Sequence, residues 1–120
     1  RDLWVLMGEL ATLPENHLKL TDGQTRVSAA MVGAVAAMVD DLGARFEAPA
    51  NFVVPGQTPL AAQLDLARTV VRRAEREAVA ATADGSHVLA YLNRLSSLLW
   101  VQARWAEGEH LLSRDVVPER

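Results

Sequence analysis

The sequence contains no cysteine, which excludes disulfides and thiolate metal sites. It also lacks an apolar run long enough to span a bilayer, and it shows no signal-peptide pattern. Positive charge is not in surplus, because the chain has 12 Lys and Arg residues but 15 Asp and Glu residues, for a formal net charge of −3. A general nucleic-acid binder shows a basic surplus, so we expect neither nucleic acid nor membrane as a partner. These absences are compatible with a reducing cytoplasm, where we place the protein.

Length and periodicity predict one all-α domain spanning 1–120. Half of the 120 residues are hydrophobic, which suffices for a modest core that an oligomer would help. The predicted helices span about residues 2–11, 28–45, 59–81 and 87–106. Ser28 and Ser86 are the predicted N-caps of the second and fourth helices. Long amphipathic helices with short connections imply an antiparallel bundle. The tail, 107–120, has no clear period, and we predict that it is loosely ordered.

The first predicted helix has its apolar side chains on one face. The residues of that face are Leu3, Leu6, Met7 and Leu10. Their spacing matches the helical period, so this face is expected to point into the core.

The third predicted helix is the most informative segment because of its arginines. Thr58 is a good N-cap, and Pro59 suits the first helical position, where a missing N–H costs nothing. The helix contains no lysine, and its arginines are Arg68, Arg72, Arg73 and Arg76. A solvated face more often mixes Lys and Glu at i, i+4 spacing, whereas arginine binds phosphates in a fixed fork geometry. The helix therefore indicates a polyphosphate site, and the alternative is a surface helix with ordinary ion pairs.

Two segments resemble one family. They are FVVPGQTPLAAQLDLARTVVRRAER from Phe52 and YLNRLSSLLWVQARW from Tyr91, and the N-terminal DLWVLMGELAT is similar to the family's first long helix where it enters the bundle. The family is that of the PduO-type ATP:cob(I)alamin (corrinoid) adenosyltransferases, and the resemblance covers nearly the whole chain. Its members transfer the 5′-deoxyadenosyl group of ATP to the Co(I) of cobalamin, giving adenosylcobalamin and triphosphate. The resemblance implies a five-helix bundle with ferritin-like up-down packing, assembled as a homotrimer with active sites at the subunit interfaces.

The resemblance also implies that part of the family's fold precedes this chain. The sequence begins at Arg1 and not at methionine. Family members carry a Gly- and Thr-rich phosphate-binding segment, similar to TRTGDDGTTGL, upstream of this point. We therefore expect an N-terminally truncated domain, with the family's first helix largely missing and little activity in the 120-residue chain alone.

The resemblance assigns ATP binding to the RRAER block and to one asparagine. These residues are Arg72, Arg73, Glu75, Arg76 and Asn93. Triphosphate is a highly charged leaving group, so its stabilisation needs guanidinium groups fixed before the reaction. Glu75 would hold the arginines in their working rotamers or help to bind Mg²⁺. The alternative for Asn93 is a helix asparagine satisfied by water or by a neighbour.

Two further residues complete the implied site. In the family, the arginine corresponding to Arg68 pairs with an aspartate of a neighbouring subunit, which implies a role in organising the interface and the catalytic site. The phenylalanine corresponding to Phe52 lies against the corrin and helps to remove the lower axial ligand of cobalt. Four-coordinate cobalt accepts an electron more readily, and the resulting Co(I) attacks the ribose C5′. Arg68, Arg72 and Phe52 are therefore the implied catalytic residues, and the alternative for Phe52 is a core residue capping the bundle end.

The chain departs from the family pattern at three positions. Gln57 replaces the second glycine of PGG, Asp65 replaces the histidine of the L-H pair, and Ser97 replaces the aspartate of NRLSD. These changes either tune substrate preference or mark a weakly active relative. The rival function is a non-catalytic helical bundle for oligomerisation or cobalamin delivery. An active enzyme would need an electron-donating reductase, and an adenosylcobalamin-dependent mutase would be a natural recipient.

Overall fold

The computed structural model describes residues 1–116, so the last four residues of the predicted tail, 117–120, lie outside the described residues. The elements are α1 (Asp2–Leu10), a 3-10 helix (Pro14–Lys19), α2 (Ala29–Gly43), α3 (Pro59–Ala78), α4 (Val88–Glu107) and a second 3-10 helix (Ser113–Asp115). Within residues 1–116, β geometry is limited to isolated bridges. The prediction of an all-α helix bundle is confirmed. In the same range, no helix has both the length and the apolar character that a bilayer crossing requires.

Side-chain caps set the starts of α2 and α3 where the sequence predicts them. The Ser28 hydroxyl accepts a hydrogen bond from the Met31 N–H at 3.3 Å. The Thr58 hydroxyl accepts one from the Ala61 N–H at 3.2 Å, and Pro59 follows it in the first helical position. Each cap satisfies one of the N–H groups that a helix start leaves without a partner.

The N-cap of α4 lies one residue after the predicted Ser86, although the Ser86 hydroxyl still bonds an N–H of the first helical turn. The N-cap is His87, whose side chain makes no capping hydrogen bond. The Ser86 hydroxyl accepts from the Val88 N–H at 3.2 Å and donates to Glu9 Oε1 at 2.6 Å. Glu9 Oε2 also accepts from the Val27 N–H at 2.7 Å. A buried carboxylate needs donors, and through these two bonds Glu9 joins α1 to the segments that precede α2 and α4.

The helix α4 is central, because it packs against both α2 and α3. The buried apolar residues of the main cluster are Val5, Leu6, Val27, Val35, Ala78, Val88, Tyr91, Leu92 and Leu98. The prediction of which side chains of α1 point into the core is wrong in part, since Leu6 is buried but Leu3 and Met7 are exposed. Val5 and Glu9 point inward instead. The reason is that Glu9 must reach its partners beyond α1, and this fixes the rotation of the helix about its axis.

The segment after α4 pairs with the loop before α3. We call residues 49–57 the Phe52 loop. The Val54 N–H donates to the Leu111 carbonyl at 2.8 Å, and the Ser113 N–H donates to the Phe52 carbonyl at 2.9 Å. These bonds place the Phe52 loop at the end of the molecule where α4 ends. The loose order expected of the tail in solution stays a prediction.

Candidate functional site

The four arginines of α3 lie in two different environments. Arg68 and Arg72 are half-buried and line a groove toward α4. Arg73 and Arg76 are exposed, and neither has an ion-pair partner within residues 1–116. Residues 68 and 72 are one helical turn apart, so both can face α4. Two of the four arginines therefore face the neighbouring helix, and the other two face solvent.

Glu75 brings two of the predicted ATP-binding residues together. Arg72 Nη1 donates to Glu75 Oε2, and Asn93 Nδ2 donates to Glu75 Oε1 at 3.2 Å. The Glu75 side chain is 18% exposed, whereas that of Arg72 is 43% exposed. The carboxylate thus holds Arg72 from the inner side and leaves the outer part of the guanidinium toward solvent. Such an arginine is fixed in advance and still has N–H donors for an anion.

Two adjoining grooves run along the contact between α3 and α4. The larger one, of about 590 Å³, is lined by the Phe52 loop and by Asp65, Arg68, Trp100 and Arg104. The smaller one, of about 250 Å³, is lined by Arg68, Trp100 and their neighbours. Arg68 and Trp100 line both grooves, so a ligand in one groove would lie beside a ligand in the other.

Ser97 lies on the wall of the smaller groove, where the family pattern has an aspartate. Its hydroxyl donates to the Asn93 carbonyl of its own helix at 3.2 Å. An aspartate there would have offered Arg72 a carboxylate from α4. With serine, the carboxylate that pairs with Arg72 is Glu75, from the same helix.

Phe52 is 90% exposed at the edge of the larger groove. The alternative that Phe52 is a core residue is therefore wrong. Its backbone is held by Ser113, whose N–H and hydroxyl both donate to the Phe52 carbonyl, at 2.9 and 2.8 Å. An exposed aromatic ring on an anchored backbone suits contact with a flat apolar ligand.

Arg104 is a site residue that the sequence analysis did not single out. Its side chain is 2% exposed, and Nη2 donates to Asp65 Oδ2 at 2.6 Å. Nε and Nη2 donate to the two oxygens of Glu107 at 2.8 and 2.9 Å. Burial alone lowers the pKa of Arg104, but the hydrogen bonds and charges of Glu107 and Asp65 outweigh it and raise that pKa. The guanidinium therefore stays charged inside the protein. A sequence signal was available, because Arg104 ends the VQAR run at helical spacing from Trp100.

Asp65 lies between two arginines inside the larger groove. It is 7% exposed, bonds Arg104 through Oδ2, and places Oδ1 at 3.9 Å from Arg68 Nε. Within residues 1–116, Oδ1 and Arg68 Nε have no hydrogen-bond partner. The departure from histidine thus supplies an internal negative charge that partly neutralises the arginines. The predicted pairing of Arg68 with a neighbouring subunit stays a prediction.

Gln57 does not strain its turn, although the family pattern has glycine there. Gly56 takes the left-handed conformation, with φ of +83°. Within residues 1–116, positive φ occurs only at glycines. The Gln57 N–H donates to Glu107 Oε1 at 3.4 Å, and its side chain donates to the Val54 carbonyl at 3.2 Å. The glutamine therefore adds contacts that hold the loop.

The described residues do not by themselves form a metal site. No group of three or more His, Asp or Glu side chains that could hold a metal lies within residues 1–116. Both oxygens of Glu75 are bonded, to Arg72 and to Asn93. These contacts favour the expectation that Glu75 holds an arginine in place. A metal-binding role for Glu75 stays a prediction.

The all-α bundle with an arginine-lined groove thus agrees with the class of protein that the sequence motifs predict. The family model described as cobalamin adenosyltransferase matches residues 1–106. The chain belongs to this family, and the predicted resemblance is confirmed.

Individual relatives agree with the family match. The chain is 44% identical over 89 residues to a corrinoid adenosyltransferase of Mycobacterium tuberculosis, an alignment that covers 70% of this chain and 46% of that protein. It is 42% identical over 110 residues to a cobalamin adenosyltransferase of Cupriavidus metallidurans, with 86% and 53% covered. It is 36% identical over 89 residues to the corrinoid adenosyltransferase PduO of Salmonella typhimurium, with 72% and 26% covered. The chain spans about half the length of the first two relatives. No solved structure gives a significant match.

Proposed function

We propose that this chain binds ATP and cobalamin and takes part in transferring the 5′-deoxyadenosyl group of ATP to Co(I). The Co(I) electron pair forms the bond to C5′ while the C5′–O bond breaks, and the bonding pair leaves with triphosphate. The observation that carries this proposal is the contact of Arg72 and Asn93 with one carboxylate, that of Glu75, beside a groove. Membership of the cobalamin adenosyltransferase family supports the reaction class.

The arginines of α3 would bind the triphosphate. Arg72 is held by Glu75 before any ligand arrives, so little reorganisation is needed when negative charge develops on the leaving group. Arg73 and Arg76 are exposed on the neighbouring surface and can add donors to the outer phosphates. The second N–H and the carbonyl of the Asn93 amide would bond the nucleotide, because the first N–H is taken by Glu75.

The corrinoid would lie in the larger groove against Phe52. The exposed ring can cover the lower face of the cobalt and exclude an axial ligand, so that Co(II) accepts an electron more readily. Arg68 lines both grooves and would organise the point where the nucleotide and the corrinoid meet. Mg²⁺ would arrive with the triphosphate, and we assign no step to it.

We also propose a homotrimer with interfacial sites, located in the cytoplasm. The open grooves and the exposed apolar side chains of α1, among them Trp4 at 77% exposure, leave surface for a neighbouring subunit. A separate reductase would supply the electron. An adenosylcobalamin-dependent mutase would receive the product.

Replacing Arg72 by lysine tests the proposal. The 120-residue chain and the full product of its gene are each given ATP and reduced cobalamin, and the absorption change on adenosylation is followed. In the form that turns over, we expect Arg72→Lys to lower kcat/KM for ATP by about 100-fold, because an ammonium group cannot form the guanidinium fork.

The matched control is Arg45→Lys, which alters an exposed arginine paired with Asp41 on α2. It should change kcat/KM by less than about twofold. If the folded full gene product gives no adenosylcobalamin, or if Arg72→Lys behaves like the control, the non-catalytic bundle becomes the better account.

A further inference from the structure

We propose that Arg104 and Glu107 form a positioning pair that fixes the Phe52 loop, and with it the ring of Phe52, at the edge of the larger groove. This inference rests on the proposed corrinoid-binding role of Phe52. Arg104 lies in the wall of the larger groove, but its side chain is only 2% exposed and that of Glu107 is 0% exposed, so neither offers a free polar group to a substrate. The pair acts through the loop.

The pair joins three separate segments. The side chain of Glu107, the last residue of α4, is 0% exposed, and that of Arg104 is 2% exposed. Arg104 reaches α3 through Asp65, and Glu107 reaches the Phe52 loop through the Gln57 N–H. Glu107 Oε2 also lies 3.5 Å from His110 Nδ1, in the segment after α4. One buried ion pair therefore contacts the Phe52 loop and lies beside a side chain of the segment that pairs with it.

The pair contacts one end of the anchored part of the loop directly and is linked to the other end through His110. At one end the Gln57 N–H points at Glu107. At the other, Phe52 and Val54 are bonded to Ser113 and Leu111, directly after His110. Phe52 is 90% exposed, and its ring makes little contact that could orient it. Its position consequently depends on these backbone anchors.

A buried arginine–glutamate pair is better suited to orienting the loop than to stabilising the packing of the helices. Apolar side chains of similar volume often hold two helices at least as firmly as a buried ion pair does, because desolvating charges is costly. Hydrogen bonds in the fork of an arginine, however, fix direction as well as distance. Glu107 also lies at the negative end of the α4 dipole, so its charge depends on Arg104 for compensation.

Two variants distinguish the orienting role of the guanidinium fork from a general contribution to the stability of the fold. Arg104→Lys keeps a positive charge beside Asp65 but replaces the planar fork, in which Nε and Nη2 bond the two oxygens of Glu107, by a single nitrogen that does not fix their direction. Glu107→Gln keeps the volume and weakens the link to Arg104. The matched control is Arg114→Lys, because Arg114 is 67% exposed and pairs only with its neighbour Asp115 among the described residues.

Hydrogen exchange of backbone amides tests the positioning without any activity. We expect exchange at the Val54 and Ser113 amides to accelerate by about tenfold or more in both variants. The Met31 and Ala61 amides, at the capped starts of α2 and α3, should keep their rates. Unchanged rates at Val54 and Ser113 would overturn the proposal.

A double-mutant cycle then tests whether the pair acts through Phe52. With the corrinoid as the varied substrate, Arg104→Lys should lower kcat/KM by about tenfold and leave KM for ATP within about twofold. In a Phe52→Ala background the same change should have less than about a twofold effect. An equal loss in both backgrounds would show that Arg104 does not act through Phe52. Absence of turnover in the unsubstituted protein would count against the proposed function, and hydrogen exchange would still decide the positioning.

Discussion

Removing the carboxylate of Glu9 should destabilise the fold far more than removing an ordinary glutamate. The Glu9 side chain is 3% exposed and bonds the Val27 N–H at 2.7 Å and the Ser86 hydroxyl at 2.6 Å. In Glu9→Ala the Val27 N–H would stay buried without an acceptor, since Val27 is 0% exposed. A buried donor left unpaired costs about 1–3 kcal/mol.

The other contacts of Glu9 set the rest of the magnitude. The half-buried Ser86 hydroxyl can turn toward water, so its lost bond adds about 1 kcal/mol. Arg26 lies 3.9 Å away and is half-exposed, so it adds little. We expect a total loss of about 3 kcal/mol in the free energy of unfolding, which corresponds to roughly 10 °C in Tm for a domain of this size. Glu9→Gln keeps one carbonyl acceptor and should lose about half as much.

Urea unfolding followed by the helical circular dichroism signal measures this loss. The matched control is Glu47→Ala, because Glu47 is exposed in the connection between α2 and α3. It should stay within about 0.5 kcal/mol of the unsubstituted chain. If Glu9→Ala and Glu47→Ala unfold at the same urea concentration, Glu9 does not satisfy the Val27 N–H, and the account of how α1 is attached is wrong.

Two further predictions concern pH and the loop turn. Burial, reinforced by the charge of Asp2 and a hydrogen bond to it, raises the pKa of Tyr91 from 10.0 to about 12. The folded state thus holds this proton more tightly, so its contribution is complete below about pH 10 and is lost as pH rises toward about 12. Between about pH 10 and pH 12, the free energy of unfolding in urea should fall by about 2–3 kcal/mol less for Tyr91→Phe than for the unsubstituted chain. An equal fall in both proteins would contradict the assignment. Gly56→Ala should lower the free energy of unfolding by at least about 1 kcal/mol in the same assay, because φ is +83°, a conformation that L side chains rarely adopt. No loss there would show that the turn adopts another conformation.

The parts of the fold that depend on local signals could be predicted from the sequence. Ser28 and Thr58 start α2 and α3 where their cap chemistry indicates, because a capping side chain bonds a backbone group only three residues away. The arginine block of α3 was also visible, because it is a pattern of residue types within one helix.

The parts that depend on distant partners could not be predicted. Glu9 is buried because Val27 and Ser86 reach it from 18 and 77 residues away. Arg104 is buried because Asp65, 39 residues earlier, lies opposite it on α3. Both are charged residues on helices, which a local pattern assigns to solvent. Their burial follows from how the helices pack, which hydrophobic periodicity alone does not specify.

We propose above that Arg72, held by Glu75 beside Asn93, binds a polyphosphate. A crystal structure of the full gene product with a bound ATP analogue tests it most directly. We expect the Arg72 guanidinium to lie within about 3 Å of phosphate oxygens while the contacts of Arg72 and Asn93 with Glu75 persist. A bound nucleotide with Arg72 directed into bulk solvent would contradict the claim and leave the helical bundle without its proposed chemistry.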